Sequence, residues 1–434
     1  MIYQNDHDSG GSHVQNSHSS KQRMPWLAIL ALGMGMLVYG IAESYGPIAA
    51  IGNIIPSQYS YLSFSLPYIA GGVGSLLAGI LTDRIGRRSS FLLVAGMILV
   101  GITVFLADPR STVAIVLSFI LIGMAAIGLE TPIITEISEV VPAKWRGNVE
   151  VIVQNFGNVG VALVFIPVLL GFSAAQSDTA YAILFIAPVV AMVIGYWSIE
   201  ESRPWDSVKG KSGIDIESAW KQIDGQAADA VNPTARLWFR LLIITVISIV
   251  QDVAFVWITY NVAYYYFAHS VADLVPLLGG IAMLIVGVSF GLLFAHRRSR
   301  KSMTAFSYLL LVVLWAALWI YVDLAHSISG LGLLAIMVLL FIPTELTWGT
   351  RAMLTPELFS TKNRGTYISI VRAIVWITTG LITLMLSYYV PSFNIASGII
   401  ITIFLIGFIL SLAWKIWGFE TGGKSLSGFD TKHK

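Results

Sequence analysis

A chain of 434 residues that is 56% hydrophobic, 12% charged and +0.77 in mean hydropathy lacks the polar surface of a water-soluble domain, where charged residues make up about 25%. A formal charge of +2 argues against a nucleic acid or other polyanion as partner, and zero cysteines exclude a disulfide framework, a thiolate metal site and a cysteine nucleophile. The 15 prolines and 39 glycines suit membrane helices, where neighbouring segments satisfy the backbone groups they free.

In chain order, residues 1–24 are rich in Ser, His, Asn, Gln and Gly without a basic-then-apolar pattern, and read as a disordered tail with no metal site. Runs of roughly 20 apolar residues, enough to cross about 30 Å of hydrocarbon, follow near 25–48, 60–81, 89–107, 111–138, 148–172 and 179–199. A long polar break at 200–237 reads as a linker, and six further runs lie near 238–267, 273–295, 303–324, 328–352, 365–390 and 394–418, before a short tail over 419–434. The expected fold is an all-α membrane protein of twelve transmembrane helices in two pseudo-symmetric six-helix bundles, 25–199 and 238–418. On this map Arg84, Arg87, Arg88, Lys144, Arg146, the linker lysines, the Arg297–Lys301 run, Lys362, Arg364 and both tails fall on one side, and only Arg110 falls opposite. Because cytoplasmic loops hold the Lys/Arg excess, linker, tails and termini are placed in the cytoplasm of a multi-pass cell-membrane protein.

The halves repeat. Sliding the chain by 218 residues places Glu139 on Glu357, Lys144 on Lys362, Arg146 on Arg364 and Gly147 on Gly365, and Ile199-Glu200-Glu201-Ser202 is echoed by Phe419-Glu420-Thr421-Gly422. Internal repeats of this kind are common in transporters. Ala70, Gly74 and Ala78, and likewise Gly287 with Gly291, form small-residue seams for close helix approach. Gly418 to Ser425 matches the P-loop expression letter for letter, but no strand precedes it and nine residues follow, so nucleotide binding is rejected.

Gly79-Ile80-Leu81-Thr82-Asp83-Arg84-Ile85-Gly86-Arg87-Arg88 resembles the loop signature G-x-L-x-D-R-x-G-R-R of the major facilitator family. Glu139…Pro142…Arg146-Gly147 and Glu357…Arg364-Gly365 resemble elements that the sugar-porter and organic-ion branch places after helices four and ten, and the Glu201 and Glu420 segments resemble that branch's half endings. The resemblance implies a cytoplasmic gate of ion pairs from Asp83, Arg84, Arg87, Arg88, Glu139, Arg146, Glu200, Glu357, Arg364 and Glu420. The Arg297–Lys301 loop lacks the Asp-Arg…Gly pattern, so a degenerate latch is expected there.

Ionisable groups within spans are costly and mark pathways or pairs. Glu43 stands near the position where proton-coupled sugar porters carry an acid, and Glu43, Asp252 and Glu130 are the candidates for proton coupling. Gln154, eight residues past Arg146, resembles a glutamine that sugar porters use on substrate hydroxyls. Its repeat mate is Arg372, a fork suited to a carboxylate or, equally, to a structural ion pair with Glu43, Glu130, Asp252 or Glu345. Asn155, Asn261, Tyr265, Trp257, Glu345 and Trp348 complete the candidate substrate set. Phe255 and Val256 replace the sugar-porter glutamine pair, and Ala352 a tryptophan. The expectation is a monomeric secondary carrier, not an enzyme, that needs no cofactor. It moves a small organic anion or sugar by alternating access with a proton, or as a sugar uniporter or drug/proton antiporter, or is a transporter-like receptor.

Overall fold

The computed structural model describes residues 24–51, 60–171, 186–225, 229–296, 299–326 and 328–430. Its first bundle comprises α1 (Trp26–Ile51), α2 (Ser60–Ile85), α3 (Arg87–Ala107), α4 (Thr112–Val140), α5 (Ala143–Leu169) and α6 (Ile186–Ser198). Two short helices, α7 (Arg203–Val208) and α8 (Ile216–Asp224), lie in the linker. The second bundle comprises α9 (Leu237–Tyr266), α10 (Val275–Leu293), α11 (Arg300–Ala325), α12 (Leu331–Leu354), α13 (Arg364–Tyr388) and α14 (Phe393–Trp417). Eleven of these twelve are long and apolar enough to cross a membrane, and α6 is an apolar helix of 13 described residues. The start of the predicted sixth span, the tail to residue 23, Arg297 and Arg298 lie outside the described residues.

Pro47, Pro67, Pro132, Pro167 and Pro343 sit inside α1, α2, α4, α5 and α12 without ending them, as neighbouring membrane helices permit. The small-residue seams do what their spacing predicts. A side chain on Gly74 would strike the Met124 backbone of α4 at 2.1 Å, and one on Gly291 would meet Ile152 of α5 at 3.1 Å. Between bundles, α2 packs on α13 and α10 on α5, equivalent pairs in the two halves. Within α9 the residues Trp257–Val262 widen to a π-helix, a feature frequent at functional sites.

The linker and the C-terminal segment fold together on the face that carries the basic loops. Ala230 and Ser425 form an isolated parallel bridge, Asp430 accepts hydrogen bonds from Thr361 and from Trp220 Nε1, and Leu426 and Phe429 are buried. The segment expected as a simple tail is therefore packed structure as far as Asp430. Its P-loop-like run wraps a carboxylate: Gly422 N–H and Thr421 N–H donate to Glu420 Oε1 at 3.0 and 3.1 Å.

Candidate transport site and gate

Four ionisable side chains from four helices meet between the bundles. Arg372 lies two turns into α13 from Arg364, and Arg351 sits in the last turn of α12. Arg372 Nη2 is 2.7 Å from Glu130 Oε2 and its Nη1 is 2.8 Å from Asp252 Oδ2, while Arg351 Nη2 is 2.9 Å from Glu130 Oε1. Glu130 thus bridges both arginines across the bundle boundary from α4. Gln251 Oε1 accepts from Arg351 Nε at 2.9 Å, Gln154 lies beside Glu130, and the Trp376 ring packs 5.2 Å from the Arg372 guanidinium. All four charged groups are buried. Two cations and two anions leave the cluster neutral, the arrangement that lets charge persist out of water. Of the four acids offered as partners for Arg372, packing selects Glu130 and Asp252.

Glu43 borders this cluster without an ion pair among the described contacts. It lies beside Tyr39, whose hydroxyl accepts from Arg372 Nη2 at 3.4 Å. Glu345 forms a separate node. Asn155 Nδ2 and Asn158 Nδ2 donate to its two oxygens at 3.1 and 2.9 Å, joining α5 to α12, and Gly287 leaves no room beside them. Trp348 covers Gly157, while Trp257 and Asn261 are buried in the π segment. Tyr265 departs from the expected set. It is 37% exposed and packs edge-on against Tyr266 past the end of the π segment, whereas Tyr260 within that segment is buried and meets Ser44 of α1 at 3.0 Å.

The gate closes the basic face. Arg87 holds Glu139 with Nε at 3.0 Å and Nη2 at 2.8 Å, contacts Asp83 at 3.3 Å, and donates to Thr361 O of the second bundle at 2.9 Å. Arg364 crosses in the other direction to Glu139 Oε1 at 2.6 Å. Asp83 accepts from the Gly365 and Thr366 N–H groups at 3.1 and 2.7 Å, an acid seated on the exposed amides and positive end of α13. Arg146 reaches Asp224 of α8 at 3.3 Å and Lys424 O.

Three expectations need correction. Glu200 is exposed, and its neighbour Glu201 is the gate acid: it accepts from Arg87 N at 2.7 Å and Ser89 N at 3.1 Å, while Ser202 donates to Glu139. Glu200 lies two residues past the end of α6 at Ser198, in extended chain with its side chain in solvent. Gly86 admits Glu201 there; its φ of 108° suits glycine, and a Cβ would stand 2.4 Å from the Glu201 carboxylate. Arg84 is exposed, and Arg88 bonds Tyr196 O within its own bundle at 2.6 Å, so neither joins the bundles. The second half carries a latch of its own, reduced as expected in having no counterpart of Asp83 among the described residues, but with its arginine–acid core intact. Arg300 pairs with Glu357 at 3.2 Å, Thr421 donates to Glu357 at 2.5 Å, and Glu420 accepts from Arg300 N at 3.0 Å and from Ser299. This reproduces Arg87–Glu139–Ser202–Glu201 piece by piece. Burial opposes the Glu420 charge, but hydrogen bonds from Ser299, Gly422 and Arg300 hold its carboxyl below the usual range. An acid followed by a hydroxyl residue, Glu201-Ser202 against Glu420-Thr421, was the signal that set the true register of the two halves.

The chain matches the sequence profile of the Major Facilitator Superfamily over residues 25–376. Among characterised relatives, sugar transporter ERD6-like 8 of Arabidopsis thaliana is 25% identical over 48% of this chain, a match spanning only 43% of that protein. The probable plastidic glucose transporter 1 of the same plant is 24% identical over 93% of this chain and 82% of its own length. Among solved structures, the proton:xylose symporter XylE of E. coli, bound to 6-bromo-6-deoxy-D-glucose, superposes with a TM-score of 0.72 at 19% identity. That superposition covers 94% of this chain and 99% of XylE, a likeness of fold.

Proposed function

Because the chain belongs to the Major Facilitator Superfamily, we propose that this membrane transporter takes up a small organic anion together with a proton, across a cell membrane, with its basic face in the cytoplasm. The observation that carries this reading is the arginine pair held between Glu130 and Asp252 at the bundle boundary. A substrate carboxylate can take one fork of Arg372 only if Asp252 lets go. Protonating Asp252 does that: a proton from water forms an O–H bond on it, the ion pair parts, and the freed N–H groups donate to the substrate carboxylate, with the net charge of the site unchanged. Proton and anion therefore load together, and loading either alone leaves an unpaired buried charge, which is costly.

Around that fork, Gln154, Asn155, Asn261 and Glu345 supply polar contacts and Trp257 and Trp348 apolar walls. Glu43 and Glu130 are further proton-exchanging acids. Release follows when the latches at Glu139 and Glu357 part and the bundles rock about the midplane site. A second reading, a sugar carrier, is favoured by the names of the relatives and by the amides beside the cluster.

Uptake by purified protein in liposomes separates the two. Radiolabelled benzoate and succinate are compared with glucose and xylose, with and without an inside-alkaline gradient, for wild type and Arg372→Gln. Carboxylate uptake that needs the gradient and collapses in the variant is the expected result. Gradient-independent glucose uptake that survives the substitution overturns it in favour of a sugar facilitator.

A further inference from the structure

Glu150 takes no part in the site or gate described above. It lies on α5 one turn after Arg146, with no exposed surface, and neither of its carboxylate oxygens has a hydrogen-bond partner. The charged groups that face it are Arg146 on its own helix, Arg300 on α11, Glu357 after α12 and Glu130 on α4. Its sequence neighbour Val151 belongs to a buried apolar group with Phe290, Ala295 and Met353. Both bases are already committed, Arg146 to Asp224 and Arg300 to Glu357. A carboxylate buried without cation or donor is among the most costly arrangements in a protein, and a bound proton removes the cost.

Position supplies the second argument. Glu150 stands between Glu130 of the midplane cluster and the Arg300–Glu357 latch. Arg146 and Arg300 are held by Asp224 and Glu357, acids on other elements, and Glu150 is an adjacent acid with no ion pair of its own, to which either guanidinium can turn when its present acid is drawn off.

We infer that Glu150 is the station through which the coupled proton leaves to the basic face, neutral while the gate is shut and ionised against Arg146 or Arg300 when it opens. The step balances. The Glu150 O–H bond breaks, the proton passes to water at the basic face, and the remaining charge is met by a guanidinium whose former acid is hydrated. The proton that reloads Glu150 comes from Asp252, whose O–H bond breaks as substrate leaves and Arg372 pairs with its carboxylate again. This assignment rests on the proton-coupled reading above.

Two measurements on full-length protein test it. The first needs no substrate: infrared difference spectra over a pH titration, where wild type shows the C=O band of a buried protonated carboxylic acid and Glu150→Gln lacks that component. An unchanged band overturns the inference. The second reads benzoate-coupled proton movement with a dye in liposomes. Glu150→Gln should cut gradient-driven uptake by about tenfold or more, the scale of a coupling between two sites, while benzoate counterflow persists and Glu150→Asp recovers coupling. Loss of counterflow together with uptake marks a structural role and overturns the assignment, as does wild-type proton movement in the variant. If Glu150→Gln does not insert, the pH midpoint of exchange in Glu150→Asp is read instead. A shifted midpoint supports the station, and an unchanged one overturns it. Wild type that moves benzoate without protons refutes the proton-coupled reading itself, a result independent of the infrared band.

Discussion

At Arg372 the second half of the chain carries a guanidinium where the first half, eight residues past its own Arg-Gly, carries Gln154. The exchange of amide for cation brings two acids with it, Glu130 and Asp252. Arg351 also serves Glu130, so removing Arg372 orphans Asp252 above all. Breaking a buried pair from one side costs about 3–5 kcal/mol, whereas removing both partners costs far less. Arg372→Gln should therefore lower the thermal midpoint of the detergent-purified protein, and Arg372→Gln with Asp252→Asn should recover a large part of that loss. A double variant as unstable as the single one would show that Asp252 is not the charge partner. The sequence identified Arg372 as an intramembrane base needing an anion, and it narrowed the anion to four. It could not choose among Glu43, Glu130, Asp252 and Glu345, because the choice depends on which helices touch across the bundle boundary. That contact is set by seams such as Gly79 on Gly365 and Gly72 on Ala373.

At the scale of elements, the two latches show why a loop motif is a weak guide to its repeat. The first carries the full Asp-Arg…Gly pattern and the second does not, yet Arg300 shares with Arg87 the pair with an acid at the end of the fourth helix, the N–H bond to the acid after the sixth, and a donated bond to the carbonyl five residues before it. What the repeat conserves is the position of a guanidinium at a helix start, opposite an acid at the end of the fourth helix of its half. Span edges were displaced for a related reason. Helix α5 begins at Ala143, directly after Pro142, rather than near 148, because a helix continues through the polar turn holding Lys144 and Arg146 before it reaches hydrocarbon, and apolar counting starts only there. Since the chain has no cysteine, a single Ser369→Cys beneath the gate reports opening. Ser369 is fully buried against Gly79. Its labelling from the basic side should rise by roughly tenfold or more in Glu139→Gln and in Arg300→Gln, as the loss of a buried pair worth about 3–5 kcal/mol allows. Unchanged labelling in Arg300→Gln would remove the second latch from the gate. The same probe reads pH. A carboxyl held below its usual range adds stability above its ordinary value and loses it as pH falls through the lowered one. Labelling should therefore accelerate below about pH 4, with part of that acceleration absent in Glu420→Gln.

For the whole molecule, what the sequence shows most strongly is an asymmetry that no single helix contains. With twelve spans drawn, the basic residues of the loops gather on one side and Arg110 alone stands opposite, and the structure then uses that side for both latches, the linker helices and the folded C-terminal segment. A membrane potential and anionic lipid act on this asymmetry during insertion, so the argument for orientation is physical as well as statistical. The folding of residues 419–430 onto the linker is not legible in the sequence, since a short polar segment with Leu426 and Phe429 has no periodicity, and its partners Trp220, Val231 and Thr361 are distant along the chain. Orientation can be tested in the cysteine-free background. Asp108→Cys, exposed between α3 and α4, should react with a membrane-impermeant maleimide added to intact cells. Lys209→Cys, exposed in the linker, should react only after the membrane is opened. The reverse pattern would place the basic face outside, and the gate of Glu139 and Glu357 would then control entry rather than release. It would also turn the proton station at Glu150 toward the source side of the gradient, so the direction of coupled transport depends on this result.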